Sequence, residues 1–361
     1  MSKLPRPPLA PMEAELVTTL PVGAAWQYEP KWDGFRCLVF RDGKEVTLQS
    51  KNGQPLARYF PEVVAAVAEL SPRRFVLDGE LVVPVGAEFS FDDLLQRIHP
   101  AASRVTRLAQ EHPALLIVFD LLADGDGTVL LTAPLRARRR ALERFARRHL
   151  TSSAGIRLSP ATTSPKVALA WLEAAGDSVD GVIAKRLDLP YRSGHRDAMQ
   201  KVKVRRTADC VIGGFRYASS GRGLGSLLLG LYDGGLLHHV GFCAGFRTAE
   251  RTALLRRLEP LIEAPGFTGN APGGPSRWST KRSTEWNPLK PVLVVEVEYD
   301  HYTGGRFRHG TRFLRWRPDK DPKKCTLRQV EQESRIAPLA LLRGRPRANP
   351  PRRQAGRRRA A

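Results

Sequence analysis

Trp26-Gln27-Tyr28-Glu29-Pro30-Lys31-Trp32-Asp33-Gly34-Phe35-Arg36 brings an amine, a carboxylate, a glycine and a guanidinium together at the end of a strand-like run. Those groups suit a lysine that attacks the α-phosphate of a nucleotide. Lys31 Nζ is then the nucleophile, Arg36 lies near the ribose or phosphate, and Gly34 lets the backbone close on the ligand. The same Lys-x-Asp-Gly spacing also makes surface turns, in which lysine is a solvated charge and Asp33-Gly34 merely bends the chain. The residues downstream of Arg36 decide between the two.

A chain of 361 residues with 42% hydrophobic content can bury sizeable cores, and its length predicts two domains. A formal charge of +22 and a pI near 10.5 call for a polyanionic partner such as nucleic acid. A membrane fits less well: no uninterrupted apolar run approaches the roughly 20 residues that span a bilayer. The N-terminus carries Pro5-Arg6-Pro7-Pro8 in place of a hydrophobic signal core, so a cytoplasmic protein is expected. Cys37, Cys210, Cys243 and Cys325 are too scattered for a zinc knuckle or a disulfide framework and read as free thiols, mostly in the core.

Composition divides the chain into three blocks, at 1–205, 206–335 and 336–361. In the first, short β-rich runs such as 37–40, 75–77 and 115–120 alternate with helical stretches at 61–70, 135–149 and 166–175, giving an α+β domain with antiparallel character. In the second, strands are expected at 209–216, 227–232, 236–242, 293–299 and 312–316, with a helix at 248–262 after the third. That order suits a small Greek-key barrel of the oligonucleotide-binding (OB) type, and a generic SH3-like barrel satisfies the same periodicity. The third block has eight arginines and no acid; only its Leu339–Leu342 patch could pack, and it is expected to be disordered. It reads equally as a phosphate-binding tail or a solubilising terminus.

Further constellations recur at strand ends. Ser50-Lys51-Asn52-Gly53 leads to a second base, Arg58. Asp78-Gly79-Glu80 places two carboxylates after an apolar strand, where a charge not held by a cation or hydrogen bonds is unfavourable. Phe119-Asp120 offers an aromatic suited to stacking on a base. Asp180-Gly181-Val182-Ile183-Ala184-Lys185 repeats the acid, glycine, apolar strand and base, and Lys201-Val202-Lys203 alternates so that both ammonium groups face one side. Each has a bland equivalent in a hairpin, a core aromatic or a solvated strand face. Their order downstream of Lys31 makes coincidence a poor account.

In that order the segments resemble the motif series of ATP-dependent DNA ligases, members of the covalent nucleotidyltransferase superfamily. Arg315-Trp316-Arg317-Pro318-Asp319-Lys320 matches a last motif in the barrel domain. The likeness covers about residues 9–335 and is nearest to the short bacterial stand-alone ligase C type, through Tyr28–Arg36 and Leu94-Leu95-Gln96-Arg97-Ile98-His99-Pro100. Two positions depart from the usual pattern: Asp180 stands where glutamate is common, and Lys51 where arginine is common.

The resemblance implies an adenylation (nucleotidyltransferase, ATP-grasp-like) domain followed by an OB domain, with ATP and Mg²⁺ as cofactors and nicked duplex DNA as substrate. It implies a monomer acting in DNA repair, at the nucleoid when engaged on DNA, with a repair polymerase or an end-binding protein as the class of protein partner. Lys31 attacks ATP to give lysine-AMP. Lysine is almost wholly protonated at neutral pH, at an ordinary pKa near ~10.4. Lys201, Lys203 and Mg²⁺ are therefore expected to disfavour its ammonium form. Glu80 and Asp180 hold metal or ribose hydroxyls, Phe119 stacks on adenine with Glu29 at its amino edge, and Arg36 and Lys185 complete the nucleotide site. Asp33, Lys51 and Arg58 meet the nick phosphate, Lys51 serving the nucleotide as well. Arg315, Arg317, Asp319 and Lys320 act when the barrel domain closes over ATP. An RNA-capping guanylyltransferase shares the lysine motif but uses GTP, and a noncatalytic binding module would need no paired carboxylates beside a lysine. An NAD-dependent ligase would need an additional domain and zinc ligands.

Overall fold

The computed structural model describes residues 3–150, 155–174, 179–204, 206–218, 223–273, 285–331 and 338–342. The N-terminal domain is built on two sheets, and the Lys31 segment passes from one to the other. Trp26–Trp32 lies at the edge of a four-stranded sheet, next to Val179–Arg186, then Met199–Lys203 and the short Glu15–Leu16. After the bend at Asp33-Gly34 the chain enters Phe35–Asp42, which belongs to a five-stranded sheet with Glu45–Ser50 on one side and Arg74–Val82, Leu115–Ala123 and Ile156–Leu158 on the other. The pairings are antiparallel except those of the outermost short strands Glu15–Leu16 and Ile156–Leu158.

Period-2 alternation gives the five-stranded sheet two apolar faces. Cys37, Val39, Leu77 and Leu116 pack with Val63 and Val67 of the helix Pro61–Ala68 and with Leu142 and Phe145 of the helix Leu135–His149. Leu38, Phe40, Val76 and Leu122 face the other way, against Met199, Ala198 and Tyr191. The helices expected here lie within one or two residues of those observed, whereas the strands expected at 75–77 and 115–120 run on to Val82 and Ala123. All four cysteines are buried and free.

Gly34 is needed at the crossing because a Cβ there would collide with the carbonyl oxygen of Leu81. Its lack of a side chain thus lets the backbone close on the neighbouring strand, where the sequence pointed to a ligand. Gly181 has φ +145°, and the pairing of Val179–Arg186 with the Lys31 strand shifts register between Val179 and Val182. A bulge of this kind re-aims the neighbouring side chain, here Asp180.

In the C-terminal domain the sheet order is Leu236–Cys243, Leu224–Asp233, Arg206–Tyr217, Val294–Tyr299, Arg312–Trp316, and the helix Thr248–Leu258 follows the third strand of the chain order. Phe215, Leu229, Leu237 and Val295 are fully buried in its core. The sequence pointed to a small Greek-key barrel. Among the described residues the pairing is an open path, because the two outer strands approach through the single bridge Cys243–Thr311.

The third block also departs from expectation where it can be seen. Pro338–Leu342 forms a short helix, not disordered chain, and Leu339, Leu341 and Leu342 pack against the N-terminal cluster of Trp32, Val82, Phe89, Leu115, Ile117 and Val179. Three leucines on a buried surface supply the burial that the arginine-rich composition around them cannot. Residues 343–361 lie outside the described residues. No described helix is long and apolar enough to cross a membrane.

Candidate active site

A cleft of about 220 Å³ is lined by Glu29, Lys31, Arg36, Lys51, Glu80, Phe119, Lys185 and Lys201, together with Met12 and Glu13 from the N-terminal segment. Eight of the expected residues, from six stretches of sequence, therefore meet in one place. Lys31 is the last residue but one of its strand, just before the crossing between the sheets, with Nζ 2.5 Å from Asp180 Oδ2. Lys203 Nζ is 3.2 Å from the same oxygen.

This arrangement reverses one electrostatic expectation. Burial would push the Lys31 amine down, but Asp180, through its charge and hydrogen bond, and the charges of Glu80 and Asp33 raise it. Lys201, for its part, is lowered, first by burial and then by the charges of Lys31 and Lys203. Asp180 is in direct contact with Nζ, so the resting side chain is an ammonium paired with that acid. Asp180 itself would be raised by burial, but the His301 hydrogen bond, Lys31 and Lys203 hold it well below the ordinary carboxylate range. Burial pushes Glu80 up to about 7, against the opposing charges of Arg36 and Lys31.

Arg36 reaches the cleft but is not free for a ribose. Its Nε and Nη2 each donate to Asp78 at 2.6 Å, and Tyr191 Oη donates to Asp78 Oδ2 at 2.6 Å. The backbone N–H of Met12 donates to Tyr191 Oη at 3.1 Å, which ties the N-terminal segment to the cleft wall. Lys185 Nζ and Glu29 Oε2 form a buried pair at 2.7 Å, and Gln27 donates to Glu29 Oε1 at 2.8 Å. Phe119 stands between these two networks, its ring centroid 4.6 Å from Arg36 Cζ and 4.4 Å from Lys185 Nζ. Asp120, next to it, faces away and pairs with Arg138, both fully buried.

Several expected residues are elsewhere. Arg58 is exposed, donates to the carbonyl of Pro100 at 3.0 Å and does not line the cleft, whereas Lys51 does and pairs with Glu13 at 3.3 Å. Both oxygens of Asp33, assigned from sequence to the nick phosphate, accept from the Arg308 guanidinium at 2.5 and 2.9 Å, so the acid serves a cation and not an anion. Arg315, Arg317, Asp319 and Lys320 do not line the cleft. Arg317 pairs with Asp209 and Asp319, Lys320 with Asp209, and Arg315 with Glu296, all within the C-terminal domain.

In their place the C-terminal domain presents His301 and Arg308, which flank the hairpin pairing Tyr302–Thr303 with Arg306–Phe307. His301 Nε2 is 3.2 Å from Asp180 Oδ1 and 3.9 Å from Asp33 Oδ2. Neither residue carried a sequence signal, since each finds its partner across more than a hundred residues. Carboxylate oxygens suit a hard divalent cation, and Asp33, Asp180 and His301 have ligand atoms within 4.8 Å of one another. Glu80, expected to join Asp180, is not in that trio. Lys31 and Lys203 already share Asp180, so a cation there competes with an ammonium.

The order and spacing of these features agree with known proteins. The family model of the ATP dependent DNA ligase domain matches residues 7–203, and that of the ATP dependent DNA ligase C terminal region matches residues 220–320. DNA ligase C1 of Mycolicibacterium smegmatis is 46% identical over 338 residues, covering 90% of this chain and 94% of its own. DNA ligase C of Mycobacterium tuberculosis is 44% identical over 354 residues, covering 94% and 98%. A solved Lig E DNA ligase has a TM-score of 0.53 at 18% identity over 85% of this chain and 99% of its own, a likeness of fold. Matched in both halves and along nearly its whole length, this chain belongs to the ATP-dependent DNA ligases, enzymes that use ATP and a divalent metal, and is of their stand-alone bacterial kind.

Proposed function

We propose that the cleft between the two N-terminal sheets carries out nick sealing in three phosphoryl transfers, each led by a group of this chain or of the DNA. Lys31 Nζ, once deprotonated, attacks the ATP α-phosphate and becomes lysine-AMP, with pyrophosphate leaving. The nick 5′-phosphate then takes AMP from Lys31, and the 3′-hydroxyl attacks that activated phosphate and releases AMP. The observation that carries this reading is Lys31 Nζ at the cleft, beside Asp180 and Lys203, with Lys201 in the same wall.

Phe119 would stack on adenine, with Glu29 and Lys185 at the edge of the base. Arg36, held by Asp78, presents a fixed charge to the ribose side, and Lys51 reaches for phosphate from the rim. A divalent cation, Mg²⁺ in this reading, would be held by Asp180 and Glu80 and would offset charge on the phosphate oxygens. Arg317, Asp319 and Lys320 would serve the first transfer from a different placement of the C-terminal domain, consistent with their distance from the cleft here.

The division near residue 205 and an OB-type barrel after it are part of the same proposal. The barrel reading is supported by the Thr311 N–H donating to the Phe242 carbonyl at 3.0 Å, which draws the outer strands together. A monomeric ligase working on chromosomal DNA acts in the cytoplasm at the nucleoid. Because related proteins include multifunctional end-joining proteins named LigD, a repair polymerase or end-binding protein is the partner class to seek. Incubation with labelled ATP, GTP or NAD⁺ tests the assignment. ATP alone should label the protein, and Lys31→Ala should abolish the label while nicked-DNA binding persists; label retained on the variant would move the nucleophile elsewhere.

A further inference from the structure

Gln27 stands behind the nucleotide cleft without lining it, and it holds a residue that does. On the strand Trp26–Trp32 side chains two apart share a face, so Gln27, Glu29 and Lys31 form one file. The antiparallel neighbour Val179–Arg186 sets Lys185 directly opposite Gln27, and Ile183 opposite Glu29. Glu29 is thereby gripped at both oxygens: Gln27 Nε2 donates to Oε1 at 2.8 Å, and Lys185 Nζ donates to Oε2 at 2.7 Å. All three side chains are buried, Glu29 to 2% exposure, so protein donors and not bulk solvent set the plane of the carboxylate. That plane needs setting, because the last torsion of a glutamate side chain is broad and has no strong preference of its own. Lysine alone would let the carboxylate turn about a single contact; the glutamine amide supplies the second.

An acceptor and a donor side by side distinguish the purines. Adenine offers a 6-amino donor next to a ring-nitrogen acceptor, whereas guanine and hypoxanthine put a 6-oxo acceptor where the amino group would be. Glu29 as a carboxylate only accepts, and Lys185 as an ammonium only donates. Held as observed, the pair complements a 6-amino purine and sets a carboxylate oxygen against a 6-oxo group. Turned about its contact with Lys185, the carboxylate would withdraw and leave the ammonium to meet a 6-oxo oxygen. The choice of base therefore depends on the second contact, the one from Gln27.

Building on the placement of adenine in this cleft, we infer that Gln27 is a positioning residue for base choice, which acts through Glu29 to select 6-amino over 6-oxo purine nucleotides. It meets neither the base nor the phosphates and takes no part in phosphoryl transfer.

The test follows self-labelling of the full-length protein by ATP, by purine riboside triphosphate, which lacks the 6-amino group, and by inosine triphosphate, which carries a 6-oxo group. Gln27→Leu removes the donor at nearly constant volume, and Gln27→Met does the same should the leucine variant not fold. The variant should need about 10-fold more ATP to reach its half-maximal labelling rate, the lower end of what one hydrogen bond to a charged group is worth. Its maximal rate with ATP should equal the parent's, which also shows that it folds, and its half-saturating concentration of purine riboside triphosphate should not change. The margin of ATP over inosine triphosphate should narrow at least as much. A general disturbance of the cleft would shift ATP and purine riboside triphosphate alike; that result, or an unchanged requirement for ATP, overturns the proposal. A fall in maximal rate alone would place Gln27 in the chemistry and likewise overturns it. A parent that is labelled by ATP with no preference over purine riboside triphosphate has its 6-amino group away from Glu29, which defeats the placement of the base and the proposal with it. A parent that takes no label from ATP would instead defeat the ligase reading itself.

Discussion

Replacing Glu80 by glutamine should make the protein more stable at alkaline pH and less able to label itself. Glu80 sits half-buried in the cleft, and burial pushes its carboxyl from 4.5 up to about 7; Arg36 and Lys31 oppose this, while Asp33 and Asp78 add to it. A carboxyl raised in the folded state favours folding as long as it keeps its proton. That contribution is complete below about pH 4.5 and is lost as the pH climbs through about 7. At about 1.36 kcal/mol per pH unit the full shift is worth roughly 3 kcal/mol. Solvent reaching a half-buried group lowers the expected figure to about 2 kcal/mol. Glutamine mimics the protonated acid, so the parent and Glu80→Gln should match near pH 4.5, and the variant should be the more stable by about 2 kcal/mol near pH 8. For a domain of this size that is a rise in melting temperature of roughly 4–8 °C. Thermal unfolding of ligand-free protein across that pH range reads the effect. Labelling by ATP should fall in the same variant, since the ionised carboxylate is gone. Parallel stability curves would refute the reasoning, because they would mean that Glu80 ionises in the folded protein as it does in the unfolded chain.

Arg138→Ala should destabilise the N-terminal domain by about 3–5 kcal/mol by denaturant unfolding, because it strands the fully buried Asp120; a loss under about 1 kcal/mol would show that water reaches the acid. Asp319→Ala should impair self-adenylylation and still seal a pre-adenylylated nick, and equal loss of both would mean that the Arg317–Asp319 pair also works on DNA. Lys31→Arg should take no label from ATP, since arginine is effectively never deprotonated. Deleting residues 343–361 removes eight arginines and should flatten the salt dependence of DNA binding by about 0.9 in log–log slope for every phosphate that the tail engages. An unchanged slope would leave DNA binding to the folded domains.

Much of the cleft could be read from local spacing, because its residues sit at strand ends and strand ends announce themselves. Lys31, Glu80, Phe119 and Lys185 each follow an apolar run, and a sheet gathers such ends along one rim. The charge states could not be read that way. Lys201 and Lys203 are as near in sequence pattern as Asp180, but the bulge at Gly181 turns the acid onto Lys31 and reverses the balance. Arg36 looked free because Asp78, which holds it, and Tyr191, which donates to Asp78, are 42 and 155 positions away. His301 and Arg308 were invisible for the same reason: a contact between domains leaves no period in either. The last motif matched in sequence and yet lies apart from the cleft, since a motif records residues and says nothing about where a domain stands.

The short helix Pro338–Leu342 makes the C-terminal domain a loop closed on the N-terminal one, entered near Arg206 and left at Glu331. Between Glu331 and Pro338 run residues 332–337, and seven Cα steps reach at most about 25 Å when fully extended. While the leucines stay seated beside Trp32, the point where the domain is left can stray no farther than that from its anchor. The swing that would carry Arg317 and Asp319 to the nucleotide is therefore leashed at both ends, and any arc longer than the leash must first unseat three leucines from the N-terminal cluster that includes Trp32 and Phe89.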